Sequence, residues 1–305
     1  MATEGSCAMT VGPHVKRQHV VSRVVLARFS VDNIVEVEDV RRPGRWRSKS
    51  PSAVAYVENY VRYDSVGAEA VWQQTETRLT TALDELEGGG SPQRGSESER
   101  IVKDCLALHW ARSYSFKAAA DQAWLRVQQK SAENLTRRPD LLAQAFAQQT
   151  GRNDPTPQDL ADLNDDLHRG PEDIRDGRHF STRVRHFYAE AQAKFADRSL
   201  EVGRCLADTR DLIISDNPVV TPSRYKPGLN AEQGVALGDA YAVGMPLGPR
   251  LFVSLGNRPD SAIISDARAA ELNGWQARIR RTHLVRRPHS KPSARETEVI
   301  PSALS

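Results

Sequence analysis

Residues 96–112, SESERIVKDCLALHWAR, set the architecture. Ser96 with Glu99 three residues later is the pattern of a capping box, in which a hydroxyl and a carboxylate satisfy the free N–H groups that open a helix. Behind it Ile101, Val102, Cys105, Leu106, Leu108 and Trp110 are apolar over a wide arc. A surface helix needs only one apolar face, so a helix of this kind is buried among other elements. The sequence therefore predicts a central core helix.

Upstream of it, Val71, Thr75, Leu79, Ala82, Leu83 and Leu86 recur at helical spacing from Ser65 until Gly88-Gly89-Gly90 and Pro92 end the run. Farther back, Gln18–Phe29 carries the packing cluster Val20, Val21, Val24, Val25, Leu26 and Phe29. Ile34, Val35 and Val37 are interrupted by Glu36 and Glu38, and Pro43-Gly44 turns the chain before Trp46, which reads as a short hairpin. Downstream come helical stretches at Lys117–Lys130, Pro139–Gln149, the acidic Gln158–Leu167 and Arg183–Leu200. Strand patterns follow at Leu212–Ile214, Tyr241–Met245 and Leu251–Val253, and helix returns at Ala267–Arg281. The expected class is α+β, a mainly helical body with a small mixed or antiparallel sheet built from N- and C-terminal segments. It is read as a single domain over 15–287, between a disordered arm at 1–14 and a disordered tail at 288–305.

The 305 residues can bury a substantial core, and no stretch approaches the ~20 consecutive apolar residues of a membrane helix. MATEGSCAMT carries no basic-then-apolar leader pattern, so a cytoplasmic protein is expected, with no membrane partner. Cys7, Cys105 and Cys205 are too far apart for a zinc knuckle and odd in number, which favours reduced thiols. The net charge of +3 is uneven: residues 1–50 carry +4, residues 276–305 carry +5, and the stretch between them −6. A basic patch for a polyanion or nucleic acid forms only if the two ends meet in space. Arg outnumbers Lys 34 to 8, which suits planar recognition of phosphate or carboxylate and equally a composition bias.

There is no phosphate-binding G-x-x-x-x-G-K-[ST], no strand-linked G-x-G-x-x-G, no H-E-x-x-H and no G-x-S-x-G. What remains is a set of polar residues at element ends. Ser215-Asp216-Asn217-Pro218 follows an apolar strand, presenting an acid at a sheet rim or closing a turn through its own side chains. His19 is a neutral imidazole that could serve as a base, a ligand or a structural bond. Arg112 leaves the end of the core helix, where it clamps an anion or pairs with Glu76 on the neighbouring helix. The candidate catalytic residues are thus His19, Asp216 and Asn217, and the candidate substrate-binding residues are Arg112, Glu76 and Ser215. The residue pattern names no metal and no cofactor.

Gln18-His19 with Leu26 and Phe29, then Tyr60, Glu76, Arg112, Ser215-Asp216-Asn217-Pro218-Val219 and Pro246-Leu247-Gly248-Pro249 resemble, in that order, the bacterial domain-of-unknown-function family 4238. The resemblance spans residues 15–287 and implies a prokaryotic α+β protein without supplying an activity. Two positions depart from it: Ser22 stands where the family usually has proline, and Gly248 where a serine is common.

Two functional readings follow. In the first, the chain is a non-enzymatic binding or interaction module whose polar residues cross-brace the fold, His19 and Arg112 pinning the 215–218 turn. In the second, it is a hydrolase acting on a phosphoester or nucleic acid, with Asp216 and His19 as acid/base groups and Arg112 neutralising the substrate.

Overall fold

The computed structural model describes residues 15–168, 174, 177–206, 209–222, 240, 242–256 and 261–290. The expected arm at 1–14, most of the expected tail and Tyr241 lie outside these residues. The helical body is built from α2 (Ser65–Glu87), α3 (Glu97–Ala111), α4 (Tyr114–Thr136), α5 (Pro139–Thr150), α6 (Pro157–His168) and α7 (Arg178–Ala196). Helix α1 (Arg23–Arg28) precedes them and α8 (Asp266–Ile279) follows.

Helix α3 is the central one. Ser96 Oγ accepts from Glu99 N at 3.2 Å, and Glu99 Oε2 accepts from Gly95 N at 2.6 Å, so the glutamate reaches one residue beyond the cap. Every residue from Val102 to Ala111 is buried except Asp104, with α2 and α7 packed along the helix. On α2 the buried positions Ala68, Trp72, Thr75, Leu79, Ala82, Leu83 and Leu86 repeat every three or four residues. Trp72, 1% exposed, holds the core position, while Val71 is only half-buried. Burial of each leucine contributes about 2 kcal/mol of transfer free energy. The glycine run ends α2: Gly88 N–H bonds back to Asp84 O, and Gly89 takes φ +91°, where a side chain would be strained.

The strands form three sheets among the described residues. Short β1 (Arg17–His19) and β4 (Tyr56–Glu58) pair antiparallel. A second sheet has the order β3-β2-β10-β6, from β2 (Val35–Asp39), β3 (Trp46–Lys49), β6 (Ile214–Ser215) and β10 (His283–Arg286), all antiparallel. This is the expected sheet drawn from both ends of the chain, with the 34–46 hairpin on one side. The third, β7-β8-β5-β9, comes from the C-terminal half: β5 (Ser199–Cys205), β7 (Val243–Gly248), β8 (Leu251–Gly256) and β9 (Ser261–Ile264), with only the β5–β9 pair parallel. Pro246 is tolerated because β7 is an edge strand and its register shifts there. A smaller core of Cys205, Leu212, Val220, Phe252, Ile264, Ala269, Leu272 and Ile279 lies under α8.

The strand expected at 212–214 is shorter than its apolar pattern, because side chains replace its ladder. Asn273 on α8 accepts from Ile213 N at 2.9 Å and donates to Asp211 O at 3.0 Å. Gln276, one turn on, accepts from Ser215 N at 2.9 Å and donates to Pro218 O at 2.8 Å.

Candidate functional site

Arg112 caps the C-terminus of α3 and is 1% exposed. Its Nη1 lies 3.0 Å from Glu76 Oε1 on α2, and its Nη2 lies 3.0 Å from His109 Nε2. His109 Nδ1 is 2.8 Å from the Cys105 carbonyl, so the proton sits on Nδ1 and Nε2 is an acceptor. That acceptor also takes the N–H of Ser22, the residue before α1, at 3.0 Å. Burial first, and then the Arg112 charge, push the His109 pKa well below the usual histidine value. His109 is therefore a neutral splice joining the start of α1 to the end of α3. A proline at position 22, usual in the resembled family, could not make this bond.

His19 lies next to this splice at the end of β1. Its neighbour Gln18 faces inward and binds both backbone groups of Val61, accepting from its N–H at 2.6 Å and donating to its carbonyl at 3.1 Å. Strand alternation turns His19 the other way, edge-on to the exposed Tyr56 ring at 6.2 Å. Its pKa is lowered by burial first, then by Arg23 and Arg112, against the attraction of Glu76 and a bond to the Val54 backbone. Glu69, two turns before Glu76 on the same face of α2, has its pKa raised by burial, and Glu76 adds to the rise while Arg112 opposes it. Trp72, between the two glutamates, places its ring 5.5 Å from the Arg112 guanidinium. Three of the sequence-predicted residues, His19, Glu76 and Arg112, thus meet, joined by Glu69, Trp72 and His109, which the sequence reading gave no role in a site. The signal for Glu69 and Trp72 was their spacing, 69-72-76, which puts two carboxylates and an indole on one helical face.

The other three predicted residues form a separate brace. Asp216 Oδ1 accepts from Arg281 N and Oδ2 from Thr282 N, each at 2.8 Å, and Oδ2 also takes the Thr282 hydroxyl. Asn217 donates to Ser115 Oγ at 2.7 Å and to Ile279 O at 3.0 Å. Ser215 Oγ donates to Gln276 Oε1 at 2.9 Å. All three are at most 1% exposed. The tetrapeptide is held by α8, the residues after it and the start of α4, and not by His19 and Arg112 as the bracing reading expects. The acid at the rim is spent on backbone N–H groups. Beside it, Tyr114, Lys117, Ala118, Asp121, Arg281 and Thr282 line an open cleft of about 330 Å³.

Segments from the two ends pair in this sheet, but the cations gathered there come from the N-terminal one and the C-terminal one adds only His283. β10 pairs with β2 and β2 with β3, so that Arg42, Arg45, Arg47, Lys49 and His283 line one recess with Asp39 and Val37. None of these four Arg and Lys side chains is ion-paired among the described residues. Asp39, next to them, has its pKa lowered by the Arg41 backbone N–H, with smaller contributions from His283, Arg41 and Arg42. Farther along the sheet Arg286 pairs with Glu36 at 2.7 Å and covers the Trp46 ring.

Among the described residues no group of three or more His, Cys, Asp and Glu side chains is arranged to hold a metal ion, and no helix is long and apolar enough to cross a membrane. Cys105 and Cys205 are buried free thiols.

Fold and site together define an α+β protein with a half-buried charged cluster between two helices and an N-terminal strand. The model of the family described as "Protein of unknown function (DUF4238)" matches residues 17–290, and the chain belongs to that family. No curated protein and no solved structure matches it.

Proposed function

We propose that this chain is a non-enzymatic binding module of the bacterial cytoplasm that holds a polyanion, with nucleic acid as the partner, on the basic edge of the β3-β2-β10-β6 sheet. The observation that carries this reading is the convergence of Arg42, Arg45, Arg47 and Lys49 with His283 in one recess, four cations around the single carboxylate of Asp39 and none of them ion-paired among the described residues. Like charges brought together repel one another, and phosphates relieve that repulsion while releasing their own counterions. The buried free thiols Cys105 and Cys205 agree with a reducing compartment.

The test is fluorescence anisotropy with labelled single- and double-stranded oligonucleotides. Four phosphate contacts correspond to a loss of roughly 100-fold in affinity between about 50 and 200 mM salt. Arg45→Ala with Arg47→Ala should flatten the salt slope by about half. Absence of binding at low salt would end this reading.

A second reading, a hydrolase acting on a phosphoester or nucleic acid, is favoured by one observation: near Arg112, His19 Nδ1 is buried and has no hydrogen-bond partner among the described residues. A base needs such a free lone pair. Asp216 and Asn217, engaged in the brace, are poorly placed to assist it. Turnover lost in His19→Gln, but reduced in Asp216→Asn only with the folded fraction, would support this second reading.

A further inference from the structure

Among the described residues, five buried side-chain polar atoms without a hydrogen-bond partner belong to the cluster around Arg112. They are Arg112 Nε, Trp72 Nε1, His19 Nδ1, Ser22 Oγ and Glu69 Oε1. Arg112, Trp72 and Ser22 are themselves at most 1% exposed. Buried polar groups are nearly always satisfied, so a concentration of this kind marks a place where another molecule completes the bonds.

The inventory of free valences restricts what that molecule is. Arg112 Nε–H and Trp72 Nε1–H are donors and Glu69 Oε1 is an acceptor; His19 Nδ1 is an acceptor with the ring proton on Nε2, the nitrogen left for the bond to the Val54 backbone; the Ser22 hydroxyl is either. The guanidinium fork that would clamp a phosphate is already engaged, Nη1 by Glu76 and Nη2 by His109, each at 3.0 Å. Glu69 and Glu76 would both face an incoming dianion, which like charge disfavours. A uniformly anionic group also leaves His19 and Glu69 without donors. A group with one carbonyl and one N–H₂ meets both requirements. Glu76 keeps 23% of its side-chain surface, and Tyr56 and Arg23 near His19 are exposed, so the cluster reaches solvent on that side.

We propose that the Arg112 cluster is a ligand site for a primary carboxamide, its carbonyl taken by Arg112 Nε and Trp72 Nε1 and its amide protons by His19 Nδ1 and Glu69. The site is independent of the basic sheet edge and does not require the chain to bind nucleic acid.

The experiment follows the indole ¹H–¹⁵N resonances of the intact protein while acetamide, acetate and inorganic phosphate are titrated separately. The chain has five tryptophans, and Trp72→Phe identifies the resonance concerned. Acetamide should shift the Trp72 signal saturably. A probe of four heavy atoms binds no tighter than roughly tens of micromolar, so a midpoint from there into the millimolar range is expected. The other four signals should move weakly and linearly. Glu69→Gln, which keeps size and leaves α2 intact, should weaken the acetamide midpoint at least several-fold. Arg112 is fully buried and its variants risk unfolding, so Glu69→Gln carries the mutational arm. Saturation by phosphate and not by acetamide would overturn the assignment, and so would a Trp72 signal no more responsive than the others, the result if water alone fills these bonds.

Discussion

Replacing Asp216 tests the brace that joins the second sheet to α8. Its carboxylate is 1% exposed and takes Arg281 N on one oxygen and Thr282 N and Oγ on the other. Asp216→Ala removes both oxygens and leaves two backbone N–H groups where β10 begins. At about 1–3 kcal/mol for each of the two orphaned donors, the cost is about 2–6 kcal/mol. For a chain of this size a kcal/mol corresponds to about 2 °C, so the thermal midpoint should fall by about 4–12 °C. Asp216→Asn is not the silent isostere that it is for a catalytic carboxylate. Its amide nitrogen must face a backbone N–H, donor against donor, whichever way the side chain turns, and only towards Thr282 can it recover a bond by donating to the hydroxyl. About half of the alanine loss should remain. Thermal melts followed by circular dichroism, with urea unfolding for the free energies, give both numbers. A wild-type midpoint for Asp216→Asn would refute the brace and return Asp216 to the list of charged working groups.

The buried imidazoles set a pH dependence with a definite sign. His109 is held neutral by burial and by Arg112, and His19 is shifted the same way, whereas in the unfolded chain both take a proton near pH 6.5. The unfolded state therefore binds more protons below that pH. Stability is fully present above about pH 6.5 and is lost as the pH falls, by up to about 1.4 kcal/mol per pH unit for each histidine. Urea unfolding between about pH 7.5 and 5.5 should show this slope, and it should flatten in His109→Gln; an unchanged slope would mean that His109 is protonated in the fold. Ser22→Pro should destabilise by about 1–3 kcal/mol: φ −55° suits proline, but the Ser22 N–H is bonded to His109, and losing that bond outweighs the stiffer unfolded chain. A loss above about 3 kcal/mol, measured by the same unfolding, would mean that the Ser22 N–H to His109 bond carries more than one ordinary hydrogen bond's worth of stability.

The helices were the most legible part of the molecule, because their signals are local. The Ser96 cap, the apolar spacing of α2 and the glycine stop after it all act within a few residues, and the boundaries fall close to where they are expected. Strand β5 was missed: its first two residues, Ser199 and Leu200, were read as the end of a helix and residues 201–205 were given no element, because Leu200 and Val202 are too short an apolar alternation to announce a strand before it pairs with β8 and β9. The site was half legible. Arg112 and Glu76 could be matched because an arginine at the end of an apolar helix needs a partner, and the nearest acidic helix supplied it. Asp216 was misleading because a turn residue and a catalytic acid share the same sequence. What separates them is whether the backbone N–H groups of residues 281 and 282, sixty-five positions away, arrive at its oxygens. The amide clamps of Gln18, Asn273 and Gln276 were invisible for the same reason, since nothing in a lone polar letter announces a backbone partner from a distant element.

Strand β10 lies between β2 and β6, not at an edge, although it is made of residues 283–286. During synthesis β2 leaves the ribosome about 245 residues before the strand that covers its open side. Until then Val37 has no Val285 to pair with, and the nascent hairpin exposes an unpaired flank that invites association with another chain. A segment made long after the hairpin is thus the one that covers the open side of the second sheet, so a long loop must close before that sheet is complete. Fusions or truncations at the C-terminal end should accordingly disturb the N-terminal hairpin first, far away along the chain but directly adjacent in space.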